Sequence, residues 1–156
     1  MDANPFAAVR LSAPPVRERF LSREEAGRFL DALNTLEMAG SVSPAFCDAL
    51  RLLLLTGARK TEVLGLRWSE VDFDRDRLVL PPERTKAGGK TGERRIFLSP
   101  PALAVLAKRR DAVEAGRWET VDDSRPRRPR QPSPYVLPAA RGEGHAIGLR
   151  RAFQRV

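Results

Sequence analysis

A basic pair, Arg59-Lys60, is the first place in the chain where residue type and position together indicate chemistry. It follows an apolar segment that ends at Gly57, and it precedes a short helical stretch that contains Glu62. We therefore expect two packed elements to hold Arg59. Its planar guanidinium can donate to two phosphate oxygens at once, which makes it a candidate ligand for an oxyanion. The alternative is a solvated arginine near a helix end, and spacing alone does not choose between the two.

A second basic stretch, residues 84–95, lies between two predicted strands. It is rich in glycine and holds five basic residues. A basic, glycine-rich turn between two strands often contacts only solvent. The presence of Arg59 and the positive charge of the whole chain favour contact of this turn with phosphate. Its Gly89-Lys90-Thr91 resembles the end of a nucleotide-binding P-loop. However, Arg84 stands where that motif requires glycine, and a strand follows where it requires a helix. We therefore reject a nucleotide site.

Other catalytic and metal chemistry finds little support in the residues present. The chain has one histidine, His145, and one cysteine, Cys47. They do not provide a zinc or iron cluster, and a serine or cysteine nucleophile would need a base beside it. We expect Cys47 to be a small buried apolar residue and His145 to be exposed in a loop. The sequence thus predicts no metal and no small-molecule cofactor.

Composition indicates one domain with an anionic macromolecule as its partner. The chain has 156 residues, 42% of them hydrophobic, with a net charge of +8 and a pI near 10.9. This charge favours nucleic acid over an acidic membrane. The longest apolar run, residues 102–107, is far too short to span a membrane, and no signal sequence is evident. The single cysteine cannot form an intramolecular disulfide, which fits a reducing cytoplasm, the location that we predict.

The hydrophobic pattern predicts helices at the start of the chain. Ser22 and Glu25 form a capping box that opens the first helix, which we expect to fray near Gly40. A central helix begins after Ser43, an expected N-cap, and ends at Gly57. Its apolar residues surround it almost completely, which is typical of a core helix. They are Phe46, Ala49, Leu50, Leu52, Leu53, Leu54 and Leu55.

The spacing of apolar residues then changes from the helical period to the alternation that is typical of strands, which predicts a small antiparallel sheet. Strands are predicted around 71–73, 78–80 and 95–98. A helix should follow Ser99 and end near residue 116, with Leu103, Leu106 and Ala107 facing inward. We expect a short buried strand at 135–137 and a basic amphipathic helix over 148–156, with Leu149 and Phe153 inward. The predicted fold class is α+β, mainly helical, with helices around a three-stranded antiparallel sheet.

The stretch from Thr56 to Asp72, TGARKTEVLGLRWSEVD, resembles the first arginine box of the tyrosine recombinases, the phage integrase family. The two strands that flank Thr85-Lys86 resemble the hairpin of that family, which carries a catalytic lysine. Residues 21–25 resemble the first helix of its catalytic domain, and the segment from Tyr135 onward resembles the region before the second catalytic box. The resemblance covers residues 20–156. It implies a partial catalytic domain with a flexible loop at 117–134, preceded by a linker or arm at 1–19.

The resemblance also implies roles for individual residues. Arg59 would clamp the scissile phosphate, and Lys86 would act as general acid on the leaving 5′ oxygen, with Lys90 as the alternative lysine. Glu62 matches an acidic position that we expect to orient the site. The basic residues expected to contact DNA are Lys60, Arg84, Lys90 and Arg94. Duplex DNA is the implied partner, and other recombinase protomers are further candidates.

The chain also departs from the family pattern. The family continues with a His-x-x-Arg box and a tyrosine that attacks DNA. Here His145 is followed at the third position by Gly148, and the only tyrosine, Tyr135, lies upstream of the expected box. We also expect that these 156 residues do not include an N-terminal DNA-binding domain. We therefore expect the chain to be inactive alone, which leaves open whether it is an enzyme.

Three functions remain in competition on these grounds. The first is a DNA-binding fragment of a site-specific recombinase. The second is a non-catalytic duplex-DNA-binding module or regulator of recombination, whose affinity should fall steeply with salt. The third is a small basic RNA-associated protein, for which Phe73 and Phe97 are the only candidates for base stacking on the sheet.

Overall fold

The structure is a computed structural model that describes residues 20–84, 92–114, 133–139, 144–154 and 156. The predicted arm at 1–19, most of the predicted loop at 117–134, and both hairpin lysines, Lys86 and Lys90, lie outside the described residues.

Helices dominate the described part of the chain, and they surround one small sheet, which confirms the predicted α+β class. The elements are α1 (Arg23–Met38), α2 (Pro44–Thr56), α3 (Lys60–Leu64), β1 (Val71–Asp72), β2 (Arg77–Leu80), β3 (Arg94–Phe97), α4 (Pro100–Glu114) and α5 (Leu149–Phe153), with 3₁₀ turns at Trp68–Glu70 and Pro82–Arg84. None of these helices is long and apolar enough to cross a membrane.

The ends of α1 and α2 follow from local sequence. The capping box is present, since the Ser22 N–H donates to Glu25 Oε2 at 2.9 Å and the Glu25 N–H donates to Ser22 Oγ at 3.2 Å. Gly57 ends α2 in the left-handed conformation, with φ of 61°, and its N–H donates to the Leu53 carbonyl at 3.1 Å. Ser43 occupies the N-cap of α2 as predicted, but its side chain makes no capping hydrogen bond in the described structure.

The sheet is antiparallel with the order β1-β2-β3. Val71 pairs with Leu78, and Leu80 pairs with Arg94, so β3 begins one residue earlier and ends one residue earlier than predicted. Phe73 falls in the turn after β1, because the chain reverses through Asp76 at φ of 48°. Leu78, Leu80 and Ile96 face the core.

α2 is the centre of the core and packs against α1, α3, α4 and α5. Leu33, Leu52 and Leu106 from the first, second and fourth helices are fully buried. Each such side chain contributes roughly 1.5–3 kcal/mol through burial. Val136 and Leu137 are also fully buried, as predicted.

The segment around Tyr135 is not the strand that we predicted. It makes isolated bridges, Arg67 with Tyr135 and Pro138 with His145. The Arg67 guanidinium lies over the Tyr135 ring, 5.5 Å from its centroid, and the His145 ring lies 5.6 Å from the same ring. His145 is therefore half-buried, whereas we expected an exposed loop residue.

A buried ionic cluster joins α1, α2 and α4, and hydrophobic periodicity did not predict it. Asp48 on α2 is almost completely buried, and its Oδ1 lies 2.8 Å from Arg51 Nη1. Arg51 also contacts Glu37 on α1 at 2.6 Å, and so does Lys108 from α4. Arg109, whose Nε is 4.0 Å from Asp48 Oδ2, is also buried, which the sequence did not predict.

Phe153 differs from expectation, and the two candidates for base stacking differ from each other in exposure. Phe153 was predicted to face inward but is 58% exposed, although its ring centroid lies 6.2 Å from that of Phe29. Phe97 is 77% exposed on β3. The other candidate for base stacking, Phe73, lies under the Arg110 guanidinium at 4.5 Å and is half-buried.

Candidate nucleic-acid interface

Arg59 sits in a short connection whose conformation is set on both sides. Gly57 ends the preceding helix, and the Ala58 N–H donates to the Thr56 hydroxyl at 3.2 Å. Arg59 itself is extended, with φ of −72° and ψ of 148°, and α3 begins at the next residue. The structure therefore places Arg59 between two packed helices, as the sequence predicted. Its side chain is 49% exposed.

Glu62 connects Arg59 to the sheet. Its Oε2 accepts the Arg59 N–H at 2.8 Å, and its Oε1 accepts Arg59 Nη1 at 2.8 Å. Nη1 of Arg94, at the start of β3, lies 2.8 Å from both oxygens of the same carboxylate. The Glu62 side chain is only 2% exposed. One buried carboxylate thus orients two guanidinium groups that come from separate elements.

The charge balance of this cluster is positive on its exposed side. Burial alone would raise the pKa of Glu62, but the Arg59 backbone and side-chain hydrogen bonds and the charge of Arg94 outweigh it, so the pKa is lowered. Glu62 is therefore ionised at neutral pH, and two arginines face one carboxylate. Within the described residues, Nε and Nη2 of Arg59 have no hydrogen-bond partner, which leaves one edge of its fork available to an anion.

Arg84 is held just beside this cluster. Its Nη2 donates to the Glu62 carbonyl at 3.0 Å and approaches the Thr61 carbonyl at 3.5 Å, while its Nη1 donates to Glu70 Oε2. The Thr61 carbonyl also accepts the Gly65 N–H at 3.2 Å. Carbonyls near the C-terminal end of a helix often lack partners within it, so a cation there is favourable. The guanidinium passes close to Gly65, where an added Cβ would lie 2.9 Å from Nη2.

The structure brings together some of the predicted site residues and leaves others untested. Arg59, Glu62 and Arg94 form one cluster, and Arg84 touches its backbone. Lys60 is exposed at the first position of α3. The predicted convergence of Arg59 with the hairpin lysine is not tested, because that lysine lies outside the described residues. DNA contact by these basic residues also stays a prediction.

Sequence reasoning missed Glu70, although a local signal was available. Glu70 Oε2 accepts the Arg67 N–H at 2.8 Å, three residues earlier. Glu62 closes on Arg59 and Glu25 on Ser22 with the same spacing. This is the glutamate half of a capping box. A glutamate three residues after the start of a turn is thus a recurring local device in this chain.

The comparisons with known proteins bear on this geometry. The family model described as the phage integrase family matches residues 19–133, which is well over half of the chain. The chain belongs to the phage integrase family. Searches of curated proteins and of solved structures gave no match. The matched span includes Arg59, Glu62, Glu70 and Arg94, so the whole cluster lies inside the integrase-related region.

Membership of the phage integrase family supports a site-specific recombinase-like function, with DNA recombination or integration as its context and DNA as the implied partner. Among the residues that the structure describes, no group of three or more histidine, cysteine or acidic side chains is arranged to hold a metal ion. The chemistry that the described cluster itself offers is hydrogen bonding and charge stabilisation from guanidinium groups.

Proposed function

We propose that this chain is the phosphate-binding part of a recombinase catalytic domain, and that it binds duplex DNA without cleaving it. Residues 20–156 would be part of the catalytic domain, and residues 1–19 would be a linker or arm. The observation that carries the proposal is the shared carboxylate of Glu62. It fixes Arg59 and Arg94 while their side chains stay partly exposed, 49% and 33% respectively.

The roles of these residues follow from charge development in phosphoryl transfer, the reaction of a complete recombinase domain, which we propose that this chain does not perform alone. When a nucleophile attacks a phosphodiester, negative charge builds on the non-bridging oxygens, and an oriented guanidinium stabilises that charge without reorganising. We assign this role to Arg59 and a supporting phosphate contact to Arg94, with Lys60 contacting the neighbouring backbone. Glu62 takes no proton in this scheme. It holds the donors in place, as expected for a residue whose pKa is lowered.

We assign the general acid to Lys86, with Lys90 as the alternative. Lys86 follows Arg84 by two residues in the sequence, a length of chain that spans at most about 7 Å. Lys90 precedes Arg94 by four residues. Both lysines thus belong to a segment whose neighbours on either side contact Glu62. This supports their assignment to the same phosphodiester, where an ammonium would protonate the leaving 5′ oxygen.

A second candidate is a regulator that binds recombination sites without any chemistry. It is favoured by the packing of Tyr135, the only tyrosine in these 156 residues. The ring of Tyr135 is covered by Arg67 on one side and contacts His145. A tyrosine engaged in this way is a structural residue, which supports binding without formation of a phosphotyrosine bond.

The experiment is a binding titration on short duplex DNA across several salt concentrations, with wild type, Arg59→Ala and Arg94→Ala. Losing a phosphate contact should weaken binding by about tenfold or more and reduce the salt slope by roughly one unit. Arg28→Ala is the control, since it removes the same charge from an exposed position on α1. Equal losses in the variants and the control would show that only net charge matters and would contradict the proposal.

Two further measurements test the absence of cleavage and the regulator function. Denaturing gels after incubation with DNA should show no covalent adduct, for wild type or for Tyr135→Phe. An adduct in wild type would show that the chain cleaves DNA. Addition of the chain to an active integrase-family recombinase should lower recombination if the regulator function is correct. Preferential competition by structured RNA would instead favour the RNA-associated alternative.

A further inference from the structure

The Arg84 side chain is turned inward, although Arg84 begins the basic stretch of the hairpin. Its guanidinium is enclosed by Glu70, the last carbonyls of α3 and the backbone of Gly65. The side chain is 22% exposed, less than half the exposure of Arg59. Its donors are thus directed at protein acceptors. This geometry differs from that of a residue whose main contact is an external phosphate.

Glu70 is the counterpart that holds this arrangement. Its side chain is almost completely buried, and the same oxygen, Oε2, accepts both Arg84 Nη1 and the Arg67 N–H. The second bond fixes the carboxylate to the 3₁₀ turn that leads into β1. Glu70 and Arg84 together therefore join three parts of the chain: the turn before the sheet, α3, and the turn at 82–84 that follows β2.

Gly65 completes the arrangement from the other side. A Cβ at this position would meet Arg84 Nη2 at 2.9 Å and the Thr61 carbonyl at 3.2 Å. The backbone torsion of Gly65, with φ of −89°, is accessible to any residue, so conformational freedom is not the reason for a glycine here. Space for the guanidinium is the physical reason.

We propose that Glu70 and Arg84 are positioning residues. They hold the turn at residues 82–84, here called the β2 arm of the hairpin, against α3, and so set the distance between this arm and the Arg59–Glu62–Arg94 cluster. The inference rests on the proposed function for its consequence in DNA binding. Arg84 in this role acts through the arm that it holds, and its charge is already compensated by Glu70. Chain segments that meet DNA must be fixed in place if several phosphates are to be contacted at once.

The decisive variant is Glu70→Gln, because two roles for Arg84 predict opposite results. If Arg84 contacted phosphate and Glu70 only competed for it, removal of a negative charge would tighten DNA binding. If the pair positions the arm, Glu70→Gln should weaken binding on the order of tenfold and lower the salt slope by roughly one unit. A loss of folded protein alone would lower the active fraction but leave the slope unchanged. Tighter or unchanged binding overturns the proposal.

Glu83→Gln is the matched control, since Glu83 is exposed, precedes Arg84 directly and undergoes the same change of charge. It should leave affinity within a small factor of wild type. Two more variants guard against misfolding of Glu70→Gln. Gly65→Ala displaces the Arg84 guanidinium with no change of charge. Arg84→Lys keeps the positive charge but loses the planar set of hydrogen-bond donors of the guanidinium. Both should weaken binding, and wild-type affinity in either one overturns the proposal.

A DNA-free measurement separates this inference from the proposed function. The Arg84 N–H donates to the Pro81 carbonyl at 3.0 Å, so hydrogen exchange at the Arg84 amide reports on the arm. Exchange there should be faster in Glu70→Gln than in wild type or Glu83→Gln, and equal rates overturn the positioning role. If Arg59→Ala leaves DNA binding unchanged, the proposed function fails. If Arg59→Ala weakens binding and Glu70→Gln does not, only the positioning role fails.

Discussion

Arg94 Nη1 lies 2.8 Å from both carboxylate oxygens of Glu62, although the two residues are 32 positions apart in the chain. This contact ties the start of β3 to α3. Arg59 shares the same carboxylate, so a single acidic side chain supports both guanidinium groups of the candidate site. Removing its charge would leave two arginines beside a buried neutral group.

Glu62→Gln should therefore destabilise the fold while preserving side-chain volume. We expect a loss of about 2–3 kcal/mol in the free energy of unfolding, less than for a fully buried pair because both arginines are partly exposed. Urea denaturation, monitored by circular dichroism, measures this loss in the free energy of unfolding. Glu83→Gln, at an exposed position, is the control and should change stability little. Equal midpoints for wild type and Glu62→Gln would show that the carboxylate charge is not needed.

The same pair of proteins should differ in their response to acid. Burial raises the pKa of Glu62. The hydrogen bonds from Arg59 and the charge of Arg94 lower the pKa by more than burial raises it, so it lies below the ordinary value. The stabilisation is then complete above the unfolded pKa of about 4.3 and is lost as pH falls through the lowered folded pKa. The stability gap between wild type and Glu62→Gln should be constant near neutrality and narrow below about pH 4. A gap that persists unchanged in acid would contradict this.

Asp48 should give a pH dependence of the opposite sign. Its pKa is raised because burial outweighs the attraction of Lys108, Arg109 and Arg51, and Glu37 raises it further. The folded state then retains the proton to higher pH than the unfolded state. The contribution of Asp48 to stability therefore falls as pH rises from its unfolded pKa of about 3.9 through the raised folded pKa.

Asp48→Asn should remove this slope, because asparagine does not titrate. The measurement is the urea midpoint of both proteins across the acidic range up to neutrality. The difference between them should change with pH above about 4, in the direction of relative loss for wild type. A difference that is independent of pH over this range would show that Asp48 titrates at its ordinary value.

Gly27 and Gly57 should respond in opposite directions to alanine. Gly27 lies inside α1 with nothing within 4 Å of an added Cβ. Alanine there should stabilise the fold by roughly 0.5–1 kcal/mol, because it lowers the entropy of the unfolded chain. Gly57 also has open space, but its φ of 61° is strained for alanine. Gly57→Ala should cost about 1–2 kcal/mol. Thermal unfolding of wild type and the two variants tests this prediction. Equal shifts in melting temperature for the two variants would contradict the argument from backbone conformation.

The local features of this protein were largely predictable from its sequence. The capping box at Ser22 and the stop at Gly57 depend on residues within four positions of one another, so a short stretch of sequence contains all the information. The arginine box was recognisable for the same reason, and it led to the correct family. The sheet was also predicted, with strand boundaries that differ from the observed ones by a residue.

The tertiary structure alone decided which charged side chains are buried and with what partner. Arg109 is buried on α4, where the Asp48 carboxylate and the Val136 carbonyl, both distant in sequence, lie beside its guanidinium. The turn of Arg84 toward Glu70 has the same origin. Periodicity reads each helix or strand by itself, whereas the free energy of a buried charge depends on groups that only the folded chain brings within hydrogen-bonding distance.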